Sequence, residues 1–215
     1  GLPDGTGDPS PVTAKGVFMG IQAAAARGLG SEDLKGVKIA VQGATGHVGA
    51  YLCRHLAEAG AELHLADIRA AELHALAKEL DAKIVEDPNA VYDVDADIFT
   101  PCALGSIINP ETIDRLKVKV VAGAANNQLE TRDMGAELQK RGIFYAPDYV
   151  INAGGIINVS VEFAEGGYNE DVAIQRIERI PQALKELWTI AQDEGISTSE
   201  AADRLAQNIL AEARK

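Results

Sequence analysis

The sequence predicts an α/β fold: a doubly wound, mostly parallel β-sheet followed by C-terminal helices. Between residues 37 and 146, short apolar runs alternate with helical stretches, and strands that alternate with helices pair in parallel. Apolar residues make up 47% of the 215-residue chain but aromatic residues only 5%. The core is therefore expected to be aliphatic, which suits buried parallel strands. From residue 151 the pattern is helical only.

Three segments are predicted along the chain. Residues 1–12, rich in Gly, Pro and Asp, form a linker in which Asp8 or Ser10 is placed to cap the first helix. Residues 13–150 form the sheet domain with its leading helix, and residues 151–215 form a helical segment packed on it. The predicted strands cover residues 37–41, 62–66, 83–85, 97–101, 118–122 and 143–146, and the predicted helices cover 12–27, 50–59, 70–80, 134–141, 155–163, 170–193 and 199–214.

The C-terminal segment carries recognisable helix boundaries. Asn169 is predicted to cap one long helix over residues 170–193, whose apolar side chains are spaced for a single buried stripe. Ser197 and Glu200 have the spacing of a capping box before the last helix. Trp188, on the long helix, is interpreted as a packing anchor. The stripe consists of Ile174, Ile177, Leu184, Leu187 and Ile190.

Three glycines follow the first predicted strand, in the run GATGHVG. Gly43 allows a tight exit from the strand, Gly46 leaves room for a pyrophosphate, and Gly49 lets the next helix lie close to the strand. The N–H groups at the start of that helix favour an anion. The spacing is one residue longer than the usual G-x-G-x-x-G, and His47 inside it is interpreted as a loop residue rather than a catalyst. The pattern predicts a Rossmann-type dinucleotide site.

Asp67 stands at the carboxyl end of the second predicted strand, roughly 20 residues beyond the glycines. A carboxylate there accepts hydrogen bonds from the adenosine ribose of NAD, and its charge repels the 2′-phosphate of NADP. We therefore predict NAD as the cofactor. Arg69, two residues further on, keeps NADP open as the less favoured alternative.

Three other segments follow predicted strands, at the edge where doubly wound sheets bind ligands. Residues 101–105, PCALG, are placed to pass the nicotinamide side of a cofactor, with an ordinary strand-to-helix turn as the alternative. Residues 126–128 are three consecutive amides, which are costly to bury without partners and so indicate a polar ligand. Asn152, followed closely by two glycines, places another amide after the sixth strand.

Composition argues against several classes of protein. The formal net charge is −12, which disfavours nucleic acid and anionic membrane surfaces as partners. Cys53 and Cys102 lack metal-ligand spacing, so we expect reduced thiols and no metal site. No apolar run reaches about 18 residues, and residues 1–11 lack the regions of a signal peptide. We therefore expect a cytoplasmic protein.

Five segments resemble the amino-acid dehydrogenase family that contains the glutamate, leucine, phenylalanine and valine enzymes, and most of all its leucine dehydrogenase branch. The resemblance implies the NAD-binding domain of an enzyme that oxidatively deaminates an L-amino acid to a 2-oxo acid and ammonia. The segments are GDPSPVTA (7–14), CRHL (53–56), PCALGSIIN (101–109), GAANNQL (123–129) and YAPDYVINAGGIINV (145–159).

The resemblance also implies site residues. Thr13 and Asn127 would lie near the substrate and the nicotinamide. Ile156 and Val159, one turn apart on a helix, would form part of an apolar pocket for a branched aliphatic side chain, with plain core packing as the alternative. The predicted cofactor-binding residues are Gly43, Ala44, Thr45, Gly46, His47, Val48, Gly49, Asp67, Ile68, Cys102, Ala103, Leu104, Ala124, Asn126 and Asn152.

The lysines depart from the family pattern. The family's two catalytic lysines and its aspartate belong to a separate substrate domain, and no lysine of this sequence has the glycine-rich setting of one of them. Lys38 and Lys119 flank predicted strands at their entry ends. We therefore predict that the chain alone does not deaminate amino acids. Surface that the substrate domain would cover is expected to favour a homo-oligomer.

The longer glycine run is a second departure and resembles the turn of short-chain reductases. Those enzymes use a Tyr-x-x-x-Lys pair, and none of the five tyrosines of this sequence is followed by lysine at that spacing. Two alternatives stay open at this point. One is a non-catalytic or engineered dinucleotide-binding or oligomerisation module, and the other is a complete reductase with His47 as its base.

Overall fold

The computed structural model describes residues 7–164 and 167–213, and a parallel six-stranded sheet forms its centre. The strands are β1 (Lys38–Gln42), β2 (Glu62–Ala66), β3 (Lys83–Ile84), β4 (Ile98–Pro101), β5 (Val120–Val121) and β6 (Phe144–Tyr145). Their order across the sheet is β3-β2-β1-β4-β5-β6, and every pairing is parallel. The predicted doubly wound fold is confirmed. Because the order reverses between β1 and β4, their carboxyl ends mark the point where such sheets bind ligands.

Alternate side chains of β1 enter two different cores, one on each face of the sheet. Ile39 and Val41 belong to one apolar cluster and Ala40 to the other, as the two-residue period of a strand requires. Helices cover these clusters. They are α1 (Ser10–Leu29), α2 (His47–Glu58), α3 (Ala70–Leu80), α4 (Asp133–Lys140), α5 (Asp148–Ile151), α6 (Gly154–Val161), α7 (Glu170–Ile177), α8 (Ile180–Glu194) and α9 (Thr198–Glu212), with a 3₁₀ helix at Pro88–Asp93.

The long helix predicted over residues 170–193 is wrong, because two helices occupy this segment. α7 ends at Ile177 and α8 begins at Ile180, with Pro181 in its first turn. Proline has no N–H, and its ring clashes with the carbonyl four residues earlier, so a helix breaks before it. The predicted apolar stripe survives the break, since Ile177, Leu184 and Leu187 are fully buried.

Several capping predictions are confirmed. The Asn169 side chain accepts from the Val172 amide, and Ser197 with Glu200 forms a complete capping box. The first helix differs, because it begins at Ser10 rather than residue 12, with Pro9 at the N-cap position. α9 is described to Glu212, so residue 214 of the predicted last helix lies outside the described residues.

Trp188 lies in the core between the helical segment and the sheet. Its side chain is 4% exposed and packs edge-on against Phe144 of β6, with 4.7 Å between ring centroids. The interpretation of Trp188 as a packing anchor is consistent with this contact. No helix within residues 7–164 and 167–213 has the length and apolar character needed to span a membrane.

Candidate functional site

Glycines at the carboxyl end of β1 allow two backbone segments to touch. Gly43 has a φ angle of +75°, and a Cβ atom there would lie 2.7 Å from the Cβ of Ala103. A Cβ atom on Gly49 would overlap the carbonyl oxygen of Gly43. The turn and the first turn of α2 are thus packed backbone against backbone, and both positions require glycine.

The start of α2 offers free N–H groups. Gly46 is the N-cap residue and provides no side-chain hydrogen bond to the helix. No side chain of the described residues accepts from the first N–H groups of α2, so they can bind an anion, which the helix dipole also favours. The helix begins at His47, three residues earlier than predicted. His47 and Val48 thus belong to its first turn, and the interpretation of His47 as a loop residue is wrong.

Asp67 follows β2 and faces the glycine turn. Its side chain is only 5% exposed. Its Oδ2 accepts from the Thr45 amide at 2.9 Å and its Oδ1 from the Arg69 amide at 3.0 Å. Burial alone would raise the pKa of this carboxyl, but the hydrogen bonds from Thr45 and Arg69 outweigh it and hold the pKa below its ordinary value. Asp67 is therefore a fixed negative charge beside the turn.

An apolar cavity of 410 Å³ opens between the turns that follow β1, β2 and β4. Two large apolar side chains border it while remaining open to solvent, since Ile68 is 87% and Leu104 75% exposed. The cavity lies at the switch point of the sheet. Of the predicted cofactor residues it collects Gly43, Gly46, Asp67, Ile68, Cys102, Ala103 and Leu104.

Sequence reasoning missed several residues of this cavity, among them Gln42, Tyr92 and Ile107. The Gln42 Nε2 donates to the Tyr92 hydroxyl at 2.8 Å, and the Gln42 Oε1 is buried without a partner among the described residues. Gln42 was detectable in principle, because it ends β1 directly before Gly43. Tyr92 and Ile107 arrive from a 3₁₀ helix and a loop, and no local pattern marks them.

Two predicted residues near the turn, Ala44 and Cys102, are wholly or partly buried. Ala44 is 0% exposed, and its amide donates to the Ala66 carbonyl, so it supports the turn from inside and the prediction that it contacts the cofactor is not supported. Cys102 is half-buried, and desolvation raises the pKa of its thiol to about 12, although a hydrogen bond with the Ala124 backbone acts the other way. The Cys102 thiol therefore stays protonated at neutral pH and is no nucleophile. Within the described part of the chain, no cluster of three or more potential metal ligands occurs.

The amide loop, residues 123–129 after β5, uses its three amides differently. Gln128 is fully buried, and its Nε2 donates to the carbonyls of Gly123 and Ala125. The expectation that all three amides face a ligand is therefore wrong for Gln128, which holds the loop together from inside. Asn126 and Asn127 are exposed at the edge of the sheet.

Asn152 connects the turn after α5 to the amide loop. Its Nδ2 donates to the Oδ1 of Asn126 at 2.6 Å and to the carbonyl of Ala124 at 3.2 Å. The side-chain oxygen of Asn126 is thereby engaged and its amide group is oriented. Three predicted cofactor residues thus meet in one hydrogen-bonded group, next to the carboxyl ends of β5 and β6.

The predicted substrate residues lie where α1 and α6 begin. A Cβ atom on Gly154 would lie 3.1 Å from the Cα of Thr13, so the two helix ends are in close contact. Thr13 is buried, and its hydroxyl donates to the Pro9 carbonyl at 2.9 Å. Ile156 is 75% exposed, which rules out plain core packing for it, and Val159 is half-buried.

The lysines flanking the strands lie at the opposite edge. Lys38 begins β1, and Lys119 directly precedes β5. Both are therefore at the amino ends of their strands, the length of a strand away from the glycine turn. This placement agrees with the expectation drawn from the sequence.

A glycine turn at the switch point, an oriented carboxylate after the next strand and an apolar cavity between them are the features of a Rossmann-type α/β domain. The family model described as Glutamate/Leucine/Phenylalanine/Valine dehydrogenase matches residues 62–215, and the chain belongs to this family. The resemblance stated from the sequence is confirmed.

Known proteins place the chain within the family. Leucine dehydrogenase from Thermoactinomyces intermedius is 49% identical over 98% of this chain and 56% of that protein. The crystal structure of L-tryptophan dehydrogenase from Nostoc punctiforme has a TM-score of 0.92 at 44% identity, over 97% of this chain and 62% of that one. A hetero-hexameric glutamate dehydrogenase from Thermus thermophilus, 21% identical, has a TM-score of 0.74 over 95% of this chain and 52% of that one and supports the fold alone. The chain thus spans little more than half the length of these relatives.

Proposed function

We propose that this chain is the NAD-binding part of an L-amino-acid dehydrogenase, which converts an amino acid to a 2-oxo acid and ammonia. One observation carries the proposal: the 410 Å³ cavity at the switch point is bordered by Gly43, Gly46 and the buried carboxylate of Asp67. In this proposal the pyrophosphate lies over Gly46 and the first N–H groups of α2. The adenosine ribose meets Asp67, and the adenine lies between Ile68 and Leu104.

NAD is the preferred cofactor in this proposal. A 2′-phosphate would meet the Asp67 carboxylate, which is held ionised by its hydrogen bonds. The Arg69 Nε lies 3.5 Å from Asp67, so its charge is already engaged by that carboxylate. Calorimetric titration of the chain with NAD and NADP tests this preference. We expect NAD to bind at least about tenfold more tightly, roughly the 1.4 kcal/mol of one repelled charge; tighter binding of NADP would refute the assignment of Asp67.

The substrate proposed for the whole enzyme is an amino acid with an apolar side chain. Ile156, exposed at the start of α6, and Val159, one turn further on, supply apolar surface beside Thr13. The named relatives include a leucine and a tryptophan dehydrogenase, and both substrates carry apolar side chains. We place a branched aliphatic substrate first, because the leucine enzyme is the more similar of these two.

The chain alone is proposed to bind cofactor without deaminating amino acids. Proton transfer and stabilisation of a developing imine need groups such as lysines and a carboxylate near the nicotinamide, and Lys38 and Lys119 lie at the far edge of the sheet. Absorbance of NADH, followed with leucine, valine and NAD, checks this. Turnover at an ordinary enzyme rate would contradict it, whereas NAD binding without turnover is the expected result.

We also propose that the chain self-associates. Several large apolar side chains are open to solvent, among them Phe163 at 82%, Ile209 at 57% and Leu210 at 58% exposure. Exposed apolar surface of this kind favours association between copies. Analytical ultracentrifugation over a concentration series is the test, and a monomer at the highest concentration would exclude it.

A further inference from the structure

Asp148, the first residue of α5, links β6 to the amide loop. Its Oδ2 accepts from the Asn127 backbone amide at 2.5 Å, and its Oδ1 accepts from the Tyr145 hydroxyl at 3.1 Å. Hydrogen bonds to an ionised acceptor are stronger than neutral ones. A carboxylate from one strand end thus holds the backbone of the loop that follows the neighbouring strand.

Asn127 has a left-handed backbone conformation. Its φ angle is +51°, in a region that glycine and asparagine adopt more readily than other residues. Its carbonyl accepts from the Ser106 amide at 2.7 Å, while its amide donates to Asp148. Both sides of the residue are therefore fixed by hydrogen bonds, and the exposed Asn127 side chain makes none to the described residues.

One side of this part of the loop faces a cavity of 550 Å³, lined by Asn126, Asn127, Tyr145 and Asp148 among others. Gly105 lies close to the Asn127 backbone, since a Cβ atom there would lie 3.0 Å from the Asn127 carbonyl oxygen. At the cavity, the hydrogen bond to Asp148 fixes the Asn127 amide and so helps to hold the conformation of this residue. Burial raises the pKa of the Tyr145 phenol well above its ordinary value, so its hydroxyl stays a donor.

We propose that Asp148 is a positioning residue for the nicotinamide half of the cofactor site. Its carboxylate holds Asn127 in the left-handed conformation, which presents the side chains of Asn126 and Asn127 to the nicotinamide and the substrate. This inference rests on the proposed NAD-binding function. It assigns Asp148 no contact with the reacting atoms.

The test compares two ligands that share one half of the site. In the proposed binding mode, NAD reaches the amide loop, whereas AMP occupies only the region of Asp67, Ile68 and Leu104. In calorimetric titrations of the full chain, D148A is expected to weaken NAD binding about tenfold, as befits a lost hydrogen bond to a charged group, and to leave AMP binding within about twofold. D148N is expected to recover part of the lost NAD affinity, because its amide oxygen still accepts from Asn127, though more weakly than a carboxylate, and its NH₂ donates to the Tyr145 hydroxyl.

Asp203 supplies a matched control. It lines the same 550 Å³ cavity and accepts from a tyrosine hydroxyl, that of Tyr149, at 2.9 Å, but the structure gives it no bond to the amide loop. D203A is expected to leave both affinities unchanged. The inference is overturned if D148A keeps wild-type NAD affinity, if NAD and AMP weaken equally, or if D148N fails to rescue. Failure of the wild-type chain to bind either ligand would instead refute the proposed function.

Discussion

The two halves of the ligand edge are built by different means. At the ends of β1 and β2, glycines allow backbone segments to touch, and one buried carboxylate orients the turn. At the ends of β5 and β6, side chains hold the loops: Gln128, Asn152 and Asp148 bond to backbone or to other side chains. The first half depends on close approach, and the second on a hydrogen-bond network.

This difference has a consequence for how each half responds to change. A close backbone contact leaves no free space between the packed atoms, so an added methyl group must displace the main chain. A hydrogen-bond network loses one member at a time, and each loss costs about 1 kcal/mol when the group left behind reaches water. Substitutions in the glycine half should therefore impair folding and binding together, while substitutions in the amide half should separate them.

The largest effect is expected for G49A. The new Cβ would overlap the Gly43 carbonyl oxygen, so the free energy of unfolding should fall by about 3 kcal/mol and NAD binding should be lost with it. Urea denaturation and NAD titration measure the two effects. G30A is the control, because Gly30 has a φ angle of +87° with open space around it; there only backbone strain of about 1 kcal/mol is expected. Equal effects of the two substitutions would contradict the close contact.

An intermediate effect is expected for N152A in the amide half. The variant removes the donor to Asn126 and to the Ala124 carbonyl, which should weaken NAD binding about fivefold to tenfold, or about 1 kcal/mol. Stability should change by less than about 1 kcal/mol, because Asn152 is only half-buried. AMP affinity is the internal control and should be unchanged. A loss of stability as large as that of G49A would show that the halves do not differ in this way.

The smallest effect concerns the pH dependence of stability at Asp67. Since the folded protein lowers the pKa of this carboxyl, its contribution to stability is present above the unfolded pKa of about 3.9 and is lost as pH falls through the folded value. The difference in unfolding free energy between wild type and D67N should therefore be constant from about pH 5 to 8 and shrink below about pH 4. Urea denaturation at several pH values measures it. A difference that stays constant down to about pH 3 would mean that Asp67 carries no such linkage.

The glycine turn lies outside the part of the chain that the family model matches. The family model matches from residue 62, beyond the turn at residues 43–49, whose spacing is longer than usual. The turn is nevertheless held by close contacts in the structure: Gly43 lies against Ala103, and the Thr45 amide donates to the Asp67 carboxylate. Titrations with NAD and NADP therefore probe a part of the chain that the family model does not match.

Local patterns in the sequence predicted the fold class, the carboxyl ends of the strands as the ligand edge and the glycine turn, and the resemblance of five longer segments indicated the family. The sequence also held the signal for the break between α7 and α8. Pro181 marks the start of α8, although one continuous helix was predicted there. Only the tertiary structure decided that Gln128 turns inward, that Tyr92 and Ile107 line the cavity, and that Asp148 holds Asn127. The reason is physical: turns and helix ends depend on neighbouring residues, whereas a hydrogen bond between residues 21 positions apart leaves no periodicity or spacing to read.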